Sequence, residues 1–321
     1  MEKDSVLVLL PVEARHKELL ESAAPGVTFT YELPETVTKE QVQAAQVIVG
    51  NPPVEMVTGS TNLKWFQSNT AGPDAYLKEG VILPQATITN ATGAYGLAIS
   101  EYMLGTLLSL YKKLYIYRDQ QKTHQWNKLG TVKKVNGSTV LVIGMGDIGG
   151  SFARLAKAMG AYVIGVRRTD ATKPDYVDEI HLTEELEELL PRADVVAMSL
   201  PGNAQTTNII SRERIAMMKD DAVIINVGRG TAIDTEALCD ALESGKLGGA
   251  ALDVTNPEPL PADHRLWDMP NVIITPHVSG GWSLPETFER IVRLSADNLR
   301  RYFNGEPLKN IIDRNTRYRK L

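Results

Sequence analysis

Short apolar runs alternate with amphipathic segments along most of the chain. Segments with helical periodicity, such as 148–159, 212–218 and 235–244, lie between most of the apolar runs. Strands that alternate with helices form parallel sheets, and strands without a polar face are covered by helices on both sides. The pattern therefore predicts an α/β protein with doubly wound parallel sheets. The predicted strands are 6–10, 47–49, 65–68, 139–143, 162–166, 195–200, 223–226, 250–254 and 272–275.

Two longer helical patterns divide the chain. One runs from about 94 to 121, and the other begins at Ser283 as its N-cap and stops at Gly305. A complete doubly wound unit lies between them, and the remaining strands and helices lie outside them. We therefore expect a discontinuous arrangement, with residues 99–289 as a cofactor-binding domain and residues 1–98 and 290–321 as a substrate domain.

The composition is that of a globular protein and gives no sign of a nucleic-acid partner. Hydrophobic residues make up 43% of the 321 residues, enough for a core, and a net charge of -5 provides no basic surface. The single cysteine, Cys239, excludes an intrachain disulfide. The N-terminus has no signal-peptide pattern, and the apolar stretch 94–110 is shorter than a membrane span and contains Glu101. We expect a cytoplasmic protein with no membrane partner.

A glycine-rich stretch opens the central unit. The strand at 139–143 runs into Gly144, Gly146 and Gly149, and a helix follows. The first glycine allows a tight turn, the second lets a pyrophosphate approach the backbone, and the third lets the helix pack on the strand. A helix N-terminus also attracts phosphate. This context predicts a dinucleotide site formed by Gly144, Gly146, Asp147, Ile148 and Gly149.

The strand that follows this helix ends on positive charge. Such units usually carry Asp or Glu about 20 residues past the glycines, where it binds the ribose 2′-hydroxyl of NAD. This chain has Arg167, 18 residues after Gly149, followed by Arg168 and Thr169. Guanidinium and hydroxyl groups bind a 2′-phosphate, whereas a carboxylate repels it. The stretch predicts NADP(H) as the preferred cofactor; the alternative is a pair of solvated arginines with NAD(H) bound.

Three polar side chains follow three further predicted strands. They are Arg229, Glu258 and His277. Ligands of an open α/β sheet bind outside the carboxyl ends of its strands, so we expect the three to face one crevice. Reduction of a ketone by hydride needs a proton donor, which His277 can be, with Glu258 on its other ring nitrogen. Arg229 can bind a substrate carboxylate and polarise the ketone oxygen.

These motifs, in this order, resemble the D-isomer-specific 2-hydroxyacid dehydrogenase family, which includes glyoxylate and hydroxypyruvate reductases. The resemblance covers about residues 65–313 and includes the stretches INVGRG, DVTNPEP, TPHVSG and SNTAGPD. It implies a Rossmann dinucleotide-binding domain inserted into a flavodoxin-like substrate domain, and a homodimer. It also implies that backbone N–H groups of Ala71 and Gly72 bind the substrate, together with Arg229 and His277. The further cofactor contacts that it implies are Leu200, Pro201, Thr206, Val227, Asp253 and Gly280.

The chain departs from the family pattern in two places. The SNTAGPD loop has Thr70 and Pro73 where small or apolar residues are common, and the carboxylate of the cofactor strand is absent. The first departure makes the geometry of the carboxylate loop an open question, and the second is the basis for expecting NADP(H). No metal site is assigned.

The predicted function is reversible hydride transfer from NADPH to a small 2-oxo acid, which gives a D-2-hydroxy acid. The side chain of that acid stays open. Two alternatives remain: a non-catalytic dinucleotide sensor resembling corepressors of this fold, and an NAD-preferring dehydrogenase of the same family. Formate or phosphite oxidation ranks lower, because those relatives depart from the Arg/Glu/His pattern or have extra segments. The other histidines are given no catalytic role, and His16 is expected on a polar helix face.

Overall fold

A computed structural model describes residues 5–169, 173–282 and 284–320, which form two compact units. The terminal unit comprises Met1–Tyr95 and Trp282–Leu321, and the central unit comprises Gly96–Gly281. The sequence-based boundaries of the central domain are 99 and 289. Ser283, the predicted N-cap, lies outside the described residues. Each unit has a parallel sheet with helices, as the alternation of strands and helices predicted.

The terminal unit has a five-stranded sheet in the order β2-β1-β3-β4-β5, which is the flavodoxin-like order. Its strands are β1 (Ser5–Leu9), β2 (Thr28–Tyr31), β3 (Val47–Gly50), β4 (Trp65–Gln67) and β5 (Thr87–Thr89). Its helices are α1 (Ala14–Ala23), α2 (Lys39–Ala44), α3 (Val54–Val57) and α10 (Pro285–Phe303). The central strand β3 is buried at every position, because helices cover both faces of the sheet.

The central unit has a seven-stranded sheet in the order β12-β11-β10-β9-β6-β7-β8. The order reverses between β6 and β9, and the crevice at such a switch point is where α/β sheets bind dinucleotides. The strands are β6 (Thr139–Ile143), β7 (Tyr162–Arg167), β8 (Glu179–Leu182), β9 (Val195–Met198), β10 (Ala222–Asn226), β11 (Leu247–Leu252) and β12 (Val272–Ile274). The helices are α4 (Gly96–Lys112), α5 (Leu114–Lys122), α6 (Asp147–Ala158), α7 (Leu186–Leu189), α8 (Arg212–Met217) and α9 (Thr235–Glu243).

One row of paired residues crosses the carboxyl edge of the central sheet. Asn226 pairs with Met198 and with Leu252, and Leu252 pairs with Ile274. On the other side Ile143 pairs with Met198 and Val166. The residues that follow this row include every predicted site residue of the central unit. The register of the sheet therefore gathers their backbones along one edge.

Two predictions about the elements are corrected by the structure. The expected single helix from 94 to 121 is two helices, because Lys113 has a left-handed backbone (φ 56°) that ends α4 and precedes α5. The sequence patterns also missed β2, β5 and β8, all of which lie at sheet edges. Edge strands need not be apolar on both faces, so they lack the signal that identified the central strands.

Within the described ranges, every helix is either too short or too polar to span a lipid bilayer. Several helices begin or end at ordinary capping signals. Thr38 and Gln41 form a capping box at α2, and the Asp234 carboxylate accepts from the Ala237 N–H at α9. Helix α10 stops just before Gly305, whose φ is 68°.

Candidate active site

The glycine turn between β6 and α6 has the geometry that a dinucleotide needs. Gly144 has a φ of 99°, which favours glycine. A Cβ on Gly149 would lie 2.0 Å from the Gly144 carbonyl oxygen, so the helix packs on the turn only because that side chain is absent. A Cβ on Gly146 would meet nothing within 4 Å, and α6 begins there without a side-chain cap. The backbone amides of this helix end therefore fit a phosphate group.

Asp147, predicted as a cofactor residue, uses its side chain elsewhere. Its carboxylate accepts a hydrogen bond of 3.0 Å from the Gly96 N–H at the start of α4. A Cβ on Gly96 would lie 2.4 Å from the same carboxylate. The side chain of Asp147 thus joins α4 to α6, and its predicted cofactor contact is left to the backbone.

Arg167 ends β7, and its Nε atom is buried. Among the described residues this Nε has no hydrogen-bond partner. The Arg167 carbonyl accepts from the Thr183 hydroxyl at 3.2 Å, which ties the strand end to the neighbouring β8. Arg168 and Thr169 are exposed. A buried guanidinium nitrogen without an acceptor is costly, so this position fits an anionic ligand.

The loop after β9 packs against the glycine turn, and the loop after β10 packs against the loop after β9. Leu200 is 8% exposed, and a Cβ on Gly144 would lie 3.0 Å from its Cδ2. The Thr206 hydroxyl donates to the Pro201 carbonyl at 2.7 Å and is part of a buried turn. Val227 is buried as well. These predicted cofactor residues follow neighbouring strands, and their contacts with a cofactor remain predictions.

Arg229 lies three residues beyond the buried strand β10. Asn226, the last residue of that strand, donates from Nδ2 to the Arg229 carbonyl at 2.9 Å. A Cβ on Gly230 would lie 1.9 Å from the Thr255 carbonyl oxygen, so the INVGRG stretch packs directly on the loop after β11. One terminal nitrogen of Arg229 donates to the Gly228 carbonyl at 2.7 Å. The backbone at Arg229 is therefore fixed on both sides.

Asp253 follows β11 and is 1% exposed. Its Oδ1 accepts from the Thr275 hydroxyl at 2.6 Å and from the Val278 N–H at 2.9 Å. Its Oδ2 accepts from the Ser279 N–H at 3.0 Å and from the Ser279 hydroxyl. The carboxylate is thus occupied in holding the loop after β12. Its predicted contact with the cofactor is an additional role that these bonds do not supply.

His277 and Glu258 form the contact that the sequence predicts. The His277 Nδ1 lies 2.7 Å from the Glu258 Oε1, and both side chains are exposed. Because a carboxylate only accepts, Nδ1 carries a proton and Nε2 is the nitrogen left for a ligand. His277 has a left-handed backbone with a φ of 53°. Gly280, the last predicted cofactor residue of this loop, is half-buried.

In the terminal unit, neutral groups hold residues 68–71 of the SNTAGPD loop after β4, and the Asp74 carboxylate at its end lies 3.8 Å from a terminal nitrogen of Arg317. The Asn51 Oδ1 accepts from the Ser68 hydroxyl at 2.9 Å and from the Asn69 N–H at 3.1 Å. The Asn90 Nδ2 donates to the Ala71 carbonyl at 2.5 Å. The Thr70 N–H donates to the Ser68 hydroxyl at 3.2 Å, so threonine at this departure from the family pattern is accommodated.

Residues outside the SNTAGPD motif also shape this loop. The Tyr95 hydroxyl donates to the Asn69 carbonyl at 2.5 Å, and burial raises the pKa of Tyr95 to about 12. The Asn69 Oδ1 is buried and has no partner among the described residues. Sequence reasoning missed Asn51, which carries no motif of its own and whose distance in sequence from the loop left no signal.

His16 corrects another expectation, because it is 3% exposed rather than on a polar face. Its Nδ1 accepts from the Glu13 N–H at 3.1 Å, and its Nε2 lies 2.9 Å from the Glu289 Oε1. The ring also packs edge-on against Phe288, with centroids 5.3 Å apart. His16 therefore joins α1 to α10 and has no nitrogen left for catalysis.

The sequence model of the D-isomer specific 2-hydroxyacid dehydrogenase family, NAD binding domain, matches residues 104–279. A glyoxylate reductase of Thermofilum pendens is 30% identical over 265 residues, which cover 78% of this chain and 75% of that protein. Two solved structures match nearly the whole chain. A D-isomer specific 2-hydroxyacid dehydrogenase family protein from Aeromonas salmonicida has a TM-score of 0.85 and 33% identity. The match covers 98% of this chain and 100% of that chain. The NADPH-dependent glyoxylate/hydroxypyruvate reductase from Sinorhizobium meliloti, in complex with NADP and sulfate, has a TM-score of 0.82 and 27% identity, with 98% and 100% covered.

Proposed function

The chain belongs to the D-isomer specific 2-hydroxyacid dehydrogenase family, and from that premise we propose that it reduces a small 2-oxo acid to a D-2-hydroxy acid with NADPH. The family makes it an NAD(P)-dependent 2-hydroxyacid dehydrogenase or reductase. The preference for NADPH and the configuration of the product are the proposed parts. The observation that carries the assignment of chemistry is the His277–Glu258 pair beyond the row of strand ends.

His277 supplies the proton of the proposed reaction. When bound, the reduced nicotinamide supplies the hydride to the carbonyl carbon of the substrate. The carbonyl oxygen then gains negative charge and takes the proton from Nε2 of His277, while Nδ1–H stays bonded to Glu258. In the reverse direction Nε2 takes the proton from the hydroxyl group. Glu258 fixes the orientation of the ring and balances its positive charge.

The substrate carboxylate needs donors, and the chain offers two kinds. We propose that the guanidinium of Arg229 binds the carboxylate and polarises the ketone oxygen. Backbone N–H groups of Ala71 and Gly72 are the second kind of donor, which the resemblance to the family implies for a substrate carboxylate. The bonds from Asn51 and Asn90 that hold residues 68–71 support this assignment, because these amide groups are neutral and bring no negative charge to the N–H donors.

The preference for NADPH rests on Arg167. Its Nε is buried without a protein partner in the described residues, so a 2′-phosphate at this strand end would satisfy it. The exposed guanidinium of Arg168 and hydroxyl of Thr169 would complete the phosphate site. The relative from Sinorhizobium meliloti, which is NADPH-dependent by name, supports the same cofactor.

The test is the ratio of kcat/KM with NADPH to that with NADH, measured against a panel of 2-oxo acids. We expect the wild type to prefer NADPH. Arg167→Ala should lower kcat/KM with NADPH on the order of 10- to 100-fold, because a charge-assisted contact is worth roughly 1.5–3 kcal/mol. The value with NADH should barely change, since NADH has no phosphate there.

A matched control is Arg192→Ala, which removes an exposed arginine whose partner is Glu179 and should leave the cofactor ratio unchanged. A wild-type preference for NADH would refute the proposed role of Arg167. A protein that binds NADPH but reduces no 2-oxo acid would instead support the alternative of a dinucleotide sensor.

We also propose a homodimer. Helix α5 has no buried residue, and it exposes Leu114 and Tyr117. In the segment that follows, Trp126 is 98% exposed. Apolar side chains exposed together support association with a second copy. Light scattering of the purified protein, which gives the mass in solution, tests this proposal against the 35.3 kDa of one chain.

A further inference from the structure

The backbone of His277 is held in an unfavourable conformation. Its φ of 53° is in the left-handed region, which costs a residue with a Cβ roughly 1–2 kcal/mol. Such a conformation persists only where the surroundings determine it. The His277 N–H donates to the Asp253 carbonyl at 2.9 Å and to the Thr275 carbonyl at 3.0 Å. These two bonds fix the residue but do not by themselves fix the loop on either side of it.

The Asp253 carboxylate fixes both sides. It accepts from the Thr275 hydroxyl before His277, and from the Val278 and Ser279 N–H groups after it. Because Asp253 directly follows Leu252, whose register partner is Ile274, the carboxylate starts from a fixed place in the sheet. The loop 275–279 is therefore wrapped around one buried anion.

Helix α4 is connected to this anion through Thr275. The Tyr102 hydroxyl lies 2.6 Å from the Thr275 Oγ1. The carboxylate can only accept, so Thr275 donates to Asp253, and Tyr102 must donate to Thr275. The chain of bonds Tyr102–Thr275–Asp253 thus joins a helix to the loop that carries His277. Burial raises the pKa of Tyr102 to about 12, so its hydroxyl keeps its proton at neutral pH.

We propose that Tyr102 and Thr275 are positioning residues that hold His277 at the angle needed for proton transfer. This inference rests on the proposed function in one respect: it takes proton transfer as the step for which His277 is positioned. Tyr102 acts on the loop through Thr275, and its removal should loosen residues 275–279 without breaking the sheet. The hydrogen bonds within the chain are directional, so losing one hydroxyl should misplace the imidazole more than it unfolds the protein.

The kinetic test compares hydroxyl deletions that keep the volume of each side chain. Tyr102→Phe should lower kcat about 3- to 10-fold, and Thr275→Val about 10- to 100-fold, as expected for loss of one and two hydrogen bonds. KM for the 2-oxo acid and Kd for NADPH should stay within about twofold, because neither residue is assigned to either ligand. Thr275→Ser keeps the hydroxyl, so its kcat should stay close to that of the wild type.

The matched control is Tyr111→Phe. Tyr111 is on the same helix and is 3% exposed, but it lies about 13 Å further along the helix axis. Its kcat should equal that of the wild type. A double-mutant cycle with His277→Ala then separates positioning from general weakening. If Tyr102 acts through His277, Tyr102→Phe should lower kcat no further once His277 is alanine.

Hydrogen exchange provides a readout that does not depend on activity. The N–H groups of residues 277–279 should exchange faster in Tyr102→Phe and Thr275→Val than in the wild type and in Tyr111→Phe, while helix α6 exchanges as before. Unchanged exchange in residues 277–279 would overturn the inference. So would faster exchange with an unaltered kcat, or a full additional loss in the His277→Ala background. If the wild type reduces no 2-oxo acid with either cofactor, the proposed function fails, and the exchange result alone decides whether Tyr102 holds the loop.

Discussion

The loop 68–74 of the terminal unit and the loop 275–279 of the central unit both follow a parallel strand. The side chains that accept or donate the main hydrogen bonds to these two loops differ in charge. Neutral amides of Asn51 and Asn90 hold the first. The buried carboxylate of Asp253 holds the second and accepts four hydrogen bonds. In each loop a tyrosine hydroxyl adds one further bond, from Tyr95 in the first and Tyr102 in the second.

The difference follows from what each loop is proposed to do. A loop that offers N–H groups to a substrate carboxylate would repel it if a buried anion lay beneath the loop, so neutral supports suit it. A loop that must keep a histidine in a left-handed conformation needs stronger supports. Hydrogen bonds to an ionised acceptor are roughly twice as strong as neutral ones. The carboxylate of Asp253 can therefore offset the strain at His277.

The largest expected effect is a loss in kcat, and it tests whether the proton donor lies in the loop 275–279. His277→Ala should lower kcat roughly 10²- to 10⁴-fold, the usual value of a positioned general acid. Binding of NADPH, measured by fluorescence titration, should be nearly intact. Val278→Ala, at a neighbouring position that is 50% exposed, is the control. A loss of less than tenfold in His277→Ala would remove His277 as the proton donor.

A second substitution tests the difference in strength between the two supports. Asp253→Asn replaces one oxygen of the buried carboxylate with an NH₂ group, which is a donor. That group then faces donors of the loop 275–279, so at least one of the loop donors loses its acceptor. Leaving buried donors unsatisfied costs about 1–3 kcal/mol each, and more for charged groups.

We expect the melting temperature of Asp253→Asn to fall by about 5–10 °C, on the order of 2–4 °C for each kcal/mol. We also expect kcat to fall about 10- to 100-fold, since the histidine is misplaced. Scanning calorimetry and steady-state kinetics measure the two effects. If the melting temperature of Asp253→Asn falls no more than that of Asn90→Ala, the two supports are equal and the comparison fails.

The corresponding change in the first loop should act on binding. Asn90→Ala removes the donor to the Ala71 carbonyl and leaves the loop 68–74 less fixed. KM for the 2-oxo acid should rise about 3- to 10-fold, the worth of one neutral hydrogen bond, while kcat changes by less. Asn62→Ala, which removes an exposed asparagine bonded to Gln43, is the control. If kcat fell by a larger factor than KM rose, Asn90 would act on the chemical step and not on substrate binding.

The smallest expected effect is on the pH dependence of stability, and it concerns the buried tyrosine that each loop contacts. The pKa values of Tyr95 and Tyr102 are each raised to about 12 by burial. Above the pKa of about 10 for an unfolded tyrosine, the unfolded chain loses a proton that the folded chain keeps, so stability falls as pH rises from 10 toward 12. Urea unfolding between pH 9 and 11 should show a shallower decline in Tyr95→Phe and in Tyr102→Phe than in the wild type. An equal decline in all three proteins would mean that neither hydroxyl resists ionisation.

The class of fold and the glycine turn of the predicted dinucleotide site follow from the sequence alone. The turn at Gly144–Gly149 follows from glycine stereochemistry within six residues, and the apolar strands follow from local periodicity. Because parallel strands that share one register row end together, the residues that follow them, such as Arg229 and His277, could be assigned to one edge before any coordinates were known. The cofactor contacts that resemblance added are still predictions.

Only the tertiary structure decided which side chains hold those positions in place. Asp147 is predicted as a cofactor residue, and its carboxylate also bonds to Gly96, 51 residues away. Tyr102 reaches Thr275 across 173 residues, and no periodicity or turn signal connects them. Local patterns report the conformation of a few neighbouring residues. A hydrogen bond between distant residues depends on sheet order, register and helix packing, and these exist only after the whole chain has folded.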